Sequence, residues 1–203
     1  MSRAMKGLLA RLERTVSRTL QPPAEPRTVM RAFCQAMSEH RNSPVELVFR
    51  AFPEDLAVSG MRLDCGDRSL IVVEERTPPE SQLVILGHEL WHEEQGGCGH
   101  HVPGLSAAAA RALDPEPEVD VVRRAVCEIL AGEEISRRTV LSVAARAGSA
   151  DREEQDAETF GLLFGREALR WIPGRHARGP VDPETLEGRI QLSLLNRDGG
   201  TAR

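Results

Sequence analysis

The chain has no tyrosine, and only five phenylalanines and two tryptophans in 203 residues, an aromatic content of 3%. Base-stacking platforms of the kind that grip single-stranded nucleic acid are therefore poorly supplied. Cysteine is scarce too. Cys34, Cys65, Cys98 and Cys127 lie about thirty positions apart and form no Cys-x-x-Cys pair, which argues against a four-thiolate zinc site and against a disulfide framework. They read as reduced thiols, mostly in the core. No apolar run approaches the roughly 18 residues that a membrane helix needs. Residues 1–20 also lack the continuous apolar segment and small-residue cleavage site of a secretory leader. The expected location is the cytoplasm, with no membrane partner.

What is present suffices for a packed domain: 40% of the residues are hydrophobic, enough at this length to bury a core. The net charge of −5 is uneven, because residues 1–50 hold nine Arg and Lys against four Asp and Glu, a balance of +5 that leaves −10 for the remainder. Any polyanion contact would fall on that first quarter. Elsewhere the acidic balance argues against nucleic acid as a partner.

In residues 1–20, Leu8, Leu12, Val16 and Leu20 share one helical stripe, with Lys6, Arg11, Arg14 and Arg18 among the solvated positions. This is a helix packed on the domain or, as the alternative, a membrane-surface or partner-binding helix. The stiff linker QPPAEP follows, so residues 1–26 are set apart as helix and linker, and 27–203 form the main domain. Arg27 to His40 repeats the helical pattern until Asn42-Ser43-Pro44 ends it, with His40 as a cation at the helix C-terminus. Three strand-like runs follow, Val45 to Phe52, Ala57 to Leu63 and Ser69 to Glu75. They predict a small sheet that feeds into the next helix, an α+β arrangement whose sheet edge could hold an extended peptide.

That next helix, Thr77 to Gly97, carries His-Glu-x-x-His. Thr77 suits the N-cap, Pro78 the first turn, Glu80 the reciprocal capping position, and Gly96-Gly97 the stop. Leu83, Val84, Ile85, Leu86, Leu90 and Trp91 are apolar nearly all round, which predicts burial. His88 and His92, four apart, project from one face and can grip one ion at about 2.0–2.1 Å each. Glu89 is turned off that face, where a carboxylate can take a proton from metal-activated water without being a ligand.

A third ligand separates catalytic from structural zinc, since catalytic sites stop at three protein donors and structural ones close with four. Two sources are open. Cys98, His100 and His101 follow the helix closely, but the extended motif that recruits a third histidine places Gly and His where this chain has Gln95 and Cys98. Glu154 begins a helix marked by Ala157, Phe160, Leu163 and Leu169, and a two-His-one-Glu site keeps one position open for water. Between them, Glu118 to Ala131 and Ile135 to Ala147 predict an acidic helical hairpin inserted at about 114–147, too acidic to face phosphate. A basic loop over 171–180 and a helix from Asp182 to Asn196 complete the chain.

The sheet, then LGHELWH, then Glu154, Asp156, Ala157, Phe160 and Gly161 as Glu-x-Asp-Ala-x-x-Phe-Gly resemble the ImmA/IrrE-type metallopeptidases over roughly residues 27–170. The resemblance implies a zincin-like fold, a small three-stranded sheet packed on the His-Glu-x-x-His helix with additional helices. It also implies a zinc-dependent endopeptidase of the bacterial cytoplasm that cleaves helix-turn-helix regulators, sometimes labelled the toxin of a toxin–antitoxin pair. His88, His92 and Glu154 would then be the Zn2+ ligands and Glu89 the general base. With no tyrosine in the chain, stabilising an oxyanion would fall to His100, His101 or His176. The alternative is a non-catalytic regulatory binding protein whose metal only staples the fold.

Overall fold

The structure, a computed structural model, describes residues 2–52, 59–96 and 151–174. The hairpin expected at 114–147, the Cys98, His100 and His101 loop, His176 and the terminal helix from Asp182 lie outside the described residues. Within them the chain is α+β: α1 (Arg3–Thr19), α2 (Pro26–Arg41), β1 (Val45–Arg50), β2 (Gly60–Asp64), β3 (Ser69–Glu74), α3 (Pro79–Gln95) and α4 (Asp151–Ala168), followed by a 3-10 turn at Leu169–Trp171.

The sheet is mixed, in the order β1-β3-β2, with β1 parallel and β2 antiparallel to β3. Only the β2–β3 link is a hairpin. Its turn closes through Cys65 N–H to the Arg68 carbonyl at 2.8 Å, and Gly66 takes φ +87 there, a conformation that disfavours any side chain. All six residues of β3 are buried, so this strand reads as a continuous apolar run rather than an alternation. The two faces nevertheless differ. Leu47 pairs with Ile71 and Phe49 with Val73 on the face that joins the helical core, and Gly60 and Arg62 stand in register with Val73 and Ile71 on that same face. Met61, Leu63, Leu70 and Val72 are buried on the other.

One apolar cluster links the helices to the sheet. Phe33 of α2 stands edge-on to Phe164 of α4 at 4.8 Å and to Trp171 at 6.0 Å, and Trp91 of α3 lies 5.1 Å from Phe160. The α1 stripe belongs to this cluster: Met5, Leu8, Leu12 and Val16 are each 1% exposed or less. The segment after α1 is tied in as well, since Ala24 N–H donates to the Trp171 carbonyl at 2.7 Å. Arg170, the middle residue of the 3-10 turn, forms an ion pair with Glu13 of α1. No helix among the described residues is long and apolar enough to cross a membrane.

Candidate metal centre

The helix that carries His88 and His92 is held at both ends by polar contacts. At its start, the Glu74 carboxylate accepts hydrogen bonds from Phe52 N–H at 2.8 Å, from Arg76 N–H at 2.9 Å, and from Arg76 Nε and Nη2 at 2.9 Å each. The Arg76 guanidinium is the main reason the carboxyl is held at about 2, against the opposing effect of burial. The Glu74 carbonyl accepts from Thr77 Oγ1 at 2.9 Å and from Gln82 Nε2 at 3.0 Å. This corrects the expected capping box. Thr77 turns back to the strand, the helix begins at Pro79 with Pro78 at the cap position, and no side chain caps it. A proline cap leaves first-turn N–H groups without a side-chain acceptor, and the helix's own hydrogen bonds begin with Gln82 N–H to the Pro78 carbonyl at 3.0 Å.

At the other end, buried Glu93 accepts from Arg62 Nε of β2 at 2.5 Å and lies 3.7 Å from Arg41 Nε of α2. Glu94 pairs with His40 at 2.8 Å and Arg11 at 3.9 Å. His40 thus acts on the end of α3, beyond its expected place at the end of its own helix. Gly96 stops α3 with φ +43, and a Cβ there would run into the Arg41 guanidinium.

α4 crosses α3 antiparallel and in near backbone contact. Gly165 sits against Val84, Gly161 against the Val84 carbonyl and the His88 backbone, and Phe164 against Gly87. A Cβ would fall 2.8 Å from Val84 O at Gly161 and 2.6 Å from Phe164 Cβ at Gly87, closer than real atoms come. Glu154, Ala157, Gly161, Phe164 and Ala168 occupy one face of α4 at helical spacing, so the face that packs on α3 also delivers Glu154 to the two histidines. In the sequence Gly161 stands out only as the end of Glu-x-Asp-Ala-x-x-Phe-Gly. The Gly161/Gly165 spacing, with Gly87 beside His88, was the available signal for close crossing.

The result is a compact donor set. His88 Nε2 lies 2.9 Å from Glu154 Oε1, His92 Nε2 3.6 Å from Glu154 Oε2, and the two Nε2 atoms are 3.1 Å apart. One ligand atom from each of His88, His92 and Glu154 falls within 4.8 Å of the others, a group that could bind a metal ion. Burial alone would raise the Glu154 carboxyl, but its two histidine partners outweigh that and hold it at about 2. Burial likewise pulls His88 down, and the hydrogen bond to Glu154 with the charges of Glu89, Glu154 and Glu158 reverses it, so that the net shift is upward. Two imidazoles and a carboxylate with their ligand atoms this close are donors of the kind that hold a divalent cation.

Glu89 does not join that set. It is 2% exposed, its Oε2 has no hydrogen-bond partner among the described residues, and its carboxyl is pushed up by burial against the opposing charges of His88 and His92. Above it lies Gly60, where a Cβ would stand 3.1 Å from Glu89 Oε1. The start of the β2 edge strand therefore rests directly on this carboxylate. Comparison with known proteins adds no assignment: no family model, no curated protein and no solved structure matches this chain.

Proposed function

We propose that the protein is a zinc-dependent metallo-endopeptidase of the cytoplasm, zincin-like and related to the ImmA/IrrE-type peptidases, which cleaves a partner helix-turn-helix regulator in a stress-response or toxin–antitoxin pair. The observation that carries this reading is Glu89, a buried carboxylate with one oxygen unpartnered among the described residues, next to a His-His-Glu donor set. An unsatisfied buried carboxylate is costly, and a metal that merely staples the fold gives no reason to keep one. Two imidazoles and one carboxylate also match the donor number and type of hydrolytic zinc, which leaves a coordination position for water.

A zinc ion held by His88, His92 and Glu154 would supply Lewis-acid polarisation of water and of a scissile carbonyl. Glu89 then has the proton work: its carboxylate accepts the proton of the attacking water and returns it to the leaving amine. The upward push from burial suits that role, because a base is most useful with a pKa near the working pH. An extended peptide lying along the edge of β2, which pairs with no further strand among the described residues, would run past Gly60 and so over the Glu89 carboxylate.

Glu89→Gln keeps the side chain's shape and removes its ability to accept a proton. The expected outcome is an unchanged fold and zinc content, measured by circular dichroism and metal analysis, with cleavage of the co-encoded regulator reduced by about 10²-fold or more. Regulator length is followed over time in cells carrying either form. Equal regulator stability in both strains, while the regulated genes still switch, would leave the metal-stapled binding protein as the better reading.

A further inference from the structure

A cleft of about 250 Å³ runs between α1 and α2, lined by Arg11, Arg14 and Arg18 on one wall and Glu39 and His40 on the other, with Leu12 and Ala36 among its lining. Both of these apolar residues are 1% exposed and form its floor. The arginines recur at helical spacing along one face of α1, where like charges destabilise a helix unless something answers them. Arg11 and His40 are answered by Glu94. Arg14 and Arg18 have no ion-pair partner among the described residues.

We infer that this cleft is a docking groove for an acidic peptide segment of a protein partner. The two unanswered guanidiniums offer forked donors suited to carboxylates, while Leu12 and Ala36, already packed in the core, fix the positions of the two helices that carry the walls. Duplex nucleic acid fits the groove less well, since about 250 Å³ between two helices admits a few peptide side chains and not the backbone of a duplex; Glu39 stands on the far wall, so the acidic groups of the segment would meet Arg14 and Arg18 instead. The groove adjoins the last turn of α3, because His40 and Arg11 hold Glu94. The inference does not depend on hydrolysis, as a regulatory binding protein would use the same groove.

Binding is measured with full-length protein, by fluorescence anisotropy of a fluorescein-labelled alternating Glu-Leu peptide at low and moderate salt. Arg14→Glu with Arg18→Glu is expected to weaken binding about tenfold or more, whereas Lys6→Glu with Arg31→Glu, an equal charge change on exposed residues outside the groove, shifts it about twofold or less. Thr15→Trp, which fills the cleft without altering charge, is expected to weaken binding too; should that variant not fold, the two charge reversals decide alone. Equal loss in both reversals would overturn the proposal in favour of a diffuse field. A labelled DNA duplex that binds through Arg14 and Arg18 where the peptide does not would overturn it in favour of nucleic acid. Because no step requires turnover, a negative result here leaves the Glu89→Gln comparison standing, and the converse holds.

Discussion

Where α3 crosses α4, glycine stands at positions 87, 161 and 165 and the two backbones nearly touch; where α1 meets α2, Leu8, Leu12 and Val16 face a partner helix whose buried residues include Val29, Phe33 and Met37. The first contact buries little side-chain volume at its centre and places atoms closely. The second buries much volume and leaves a charged cleft at its rim. Apolar volume supplies stability in rough proportion to the area removed from water and tolerates some repacking. A backbone-to-backbone crossing has no such slack, and it is the one that sets His88 and His92 against Glu154.

The largest effect that would test this contrast is Leu12→Ala, expected to cost about 2–5 kcal/mol because Leu12 is fully buried and its cavity cannot collapse completely. Zinc affinity measured below the foot of the melting transition should stay within about twofold, since the helix with His88 and His92 is untouched. A large loss of affinity in a still-folded Leu12→Ala protein would mean that the two helix pairs are not separable. Gly161→Ala comes next, at about 1–3 kcal/mol from overpacking. Here affinity should fall about 10–100-fold, as when a group that orients a ligand is lost; competition against a chelating dye reads it. Full affinity in Gly161→Ala would show that α4 can back away without moving Glu154.

The start of α3 offers a pH test. Glu74 is held at about 2 against an ordinary value of 4.5, so its folded form favours the ionised state. Its contribution is fully present above the ordinary value and is lost as pH falls from there toward about 2. Glu74→Gln should therefore lower stability by about 1–3 kcal/mol near neutrality, and should flatten the acid limb in that window, as read by urea midpoints at stepped pH. A parallel acid limb in the variant would remove Glu74 from that role. The smallest effect is the reverse of Gly161→Ala: Gly7 of α1 has open space around its missing Cβ, so Gly7→Ala should stabilise by about 0.5–1 kcal/mol. A destabilised Gly7→Ala would show that α1 is tighter than its neighbours suggest.

The helix with His88 and His92 was legible because its signal is local: apolar residues, a four-residue histidine spacing, and glycine at the end. Glu154 was legible because it lies on the stripe that Ala157 and Phe160 mark, although 62 positions separate it from His92. The Thr77 cap misled because threonine before Pro-Pro-Glu satisfies every local rule, while the competing acceptor, the Glu74 carbonyl, follows from how strand and helix meet. The strand order could not be read, since parallel pairing of β1 with β3 depends on a crossover that leaves no periodic trace. The tie between Arg62 and Glu93 was equally hidden, two ordinary charges 31 positions apart in a sequence rich in both. Residues 1–26, set apart by their prolines, lie in packing terms inside the same cluster as the metal helix.

Gly60 carries a consequence for how this sequence can drift. Its missing Cβ would collide with the Cγ2 methyl of Ile85 before reaching Glu89, so the size of residue 60 and the β-branching of residue 85 form one variable rather than two. A lineage can keep glycine with isoleucine, or accept alanine once residue 85 is unbranched at Cβ, as leucine is. It cannot take the first step alone without displacing the Ile85 methyl.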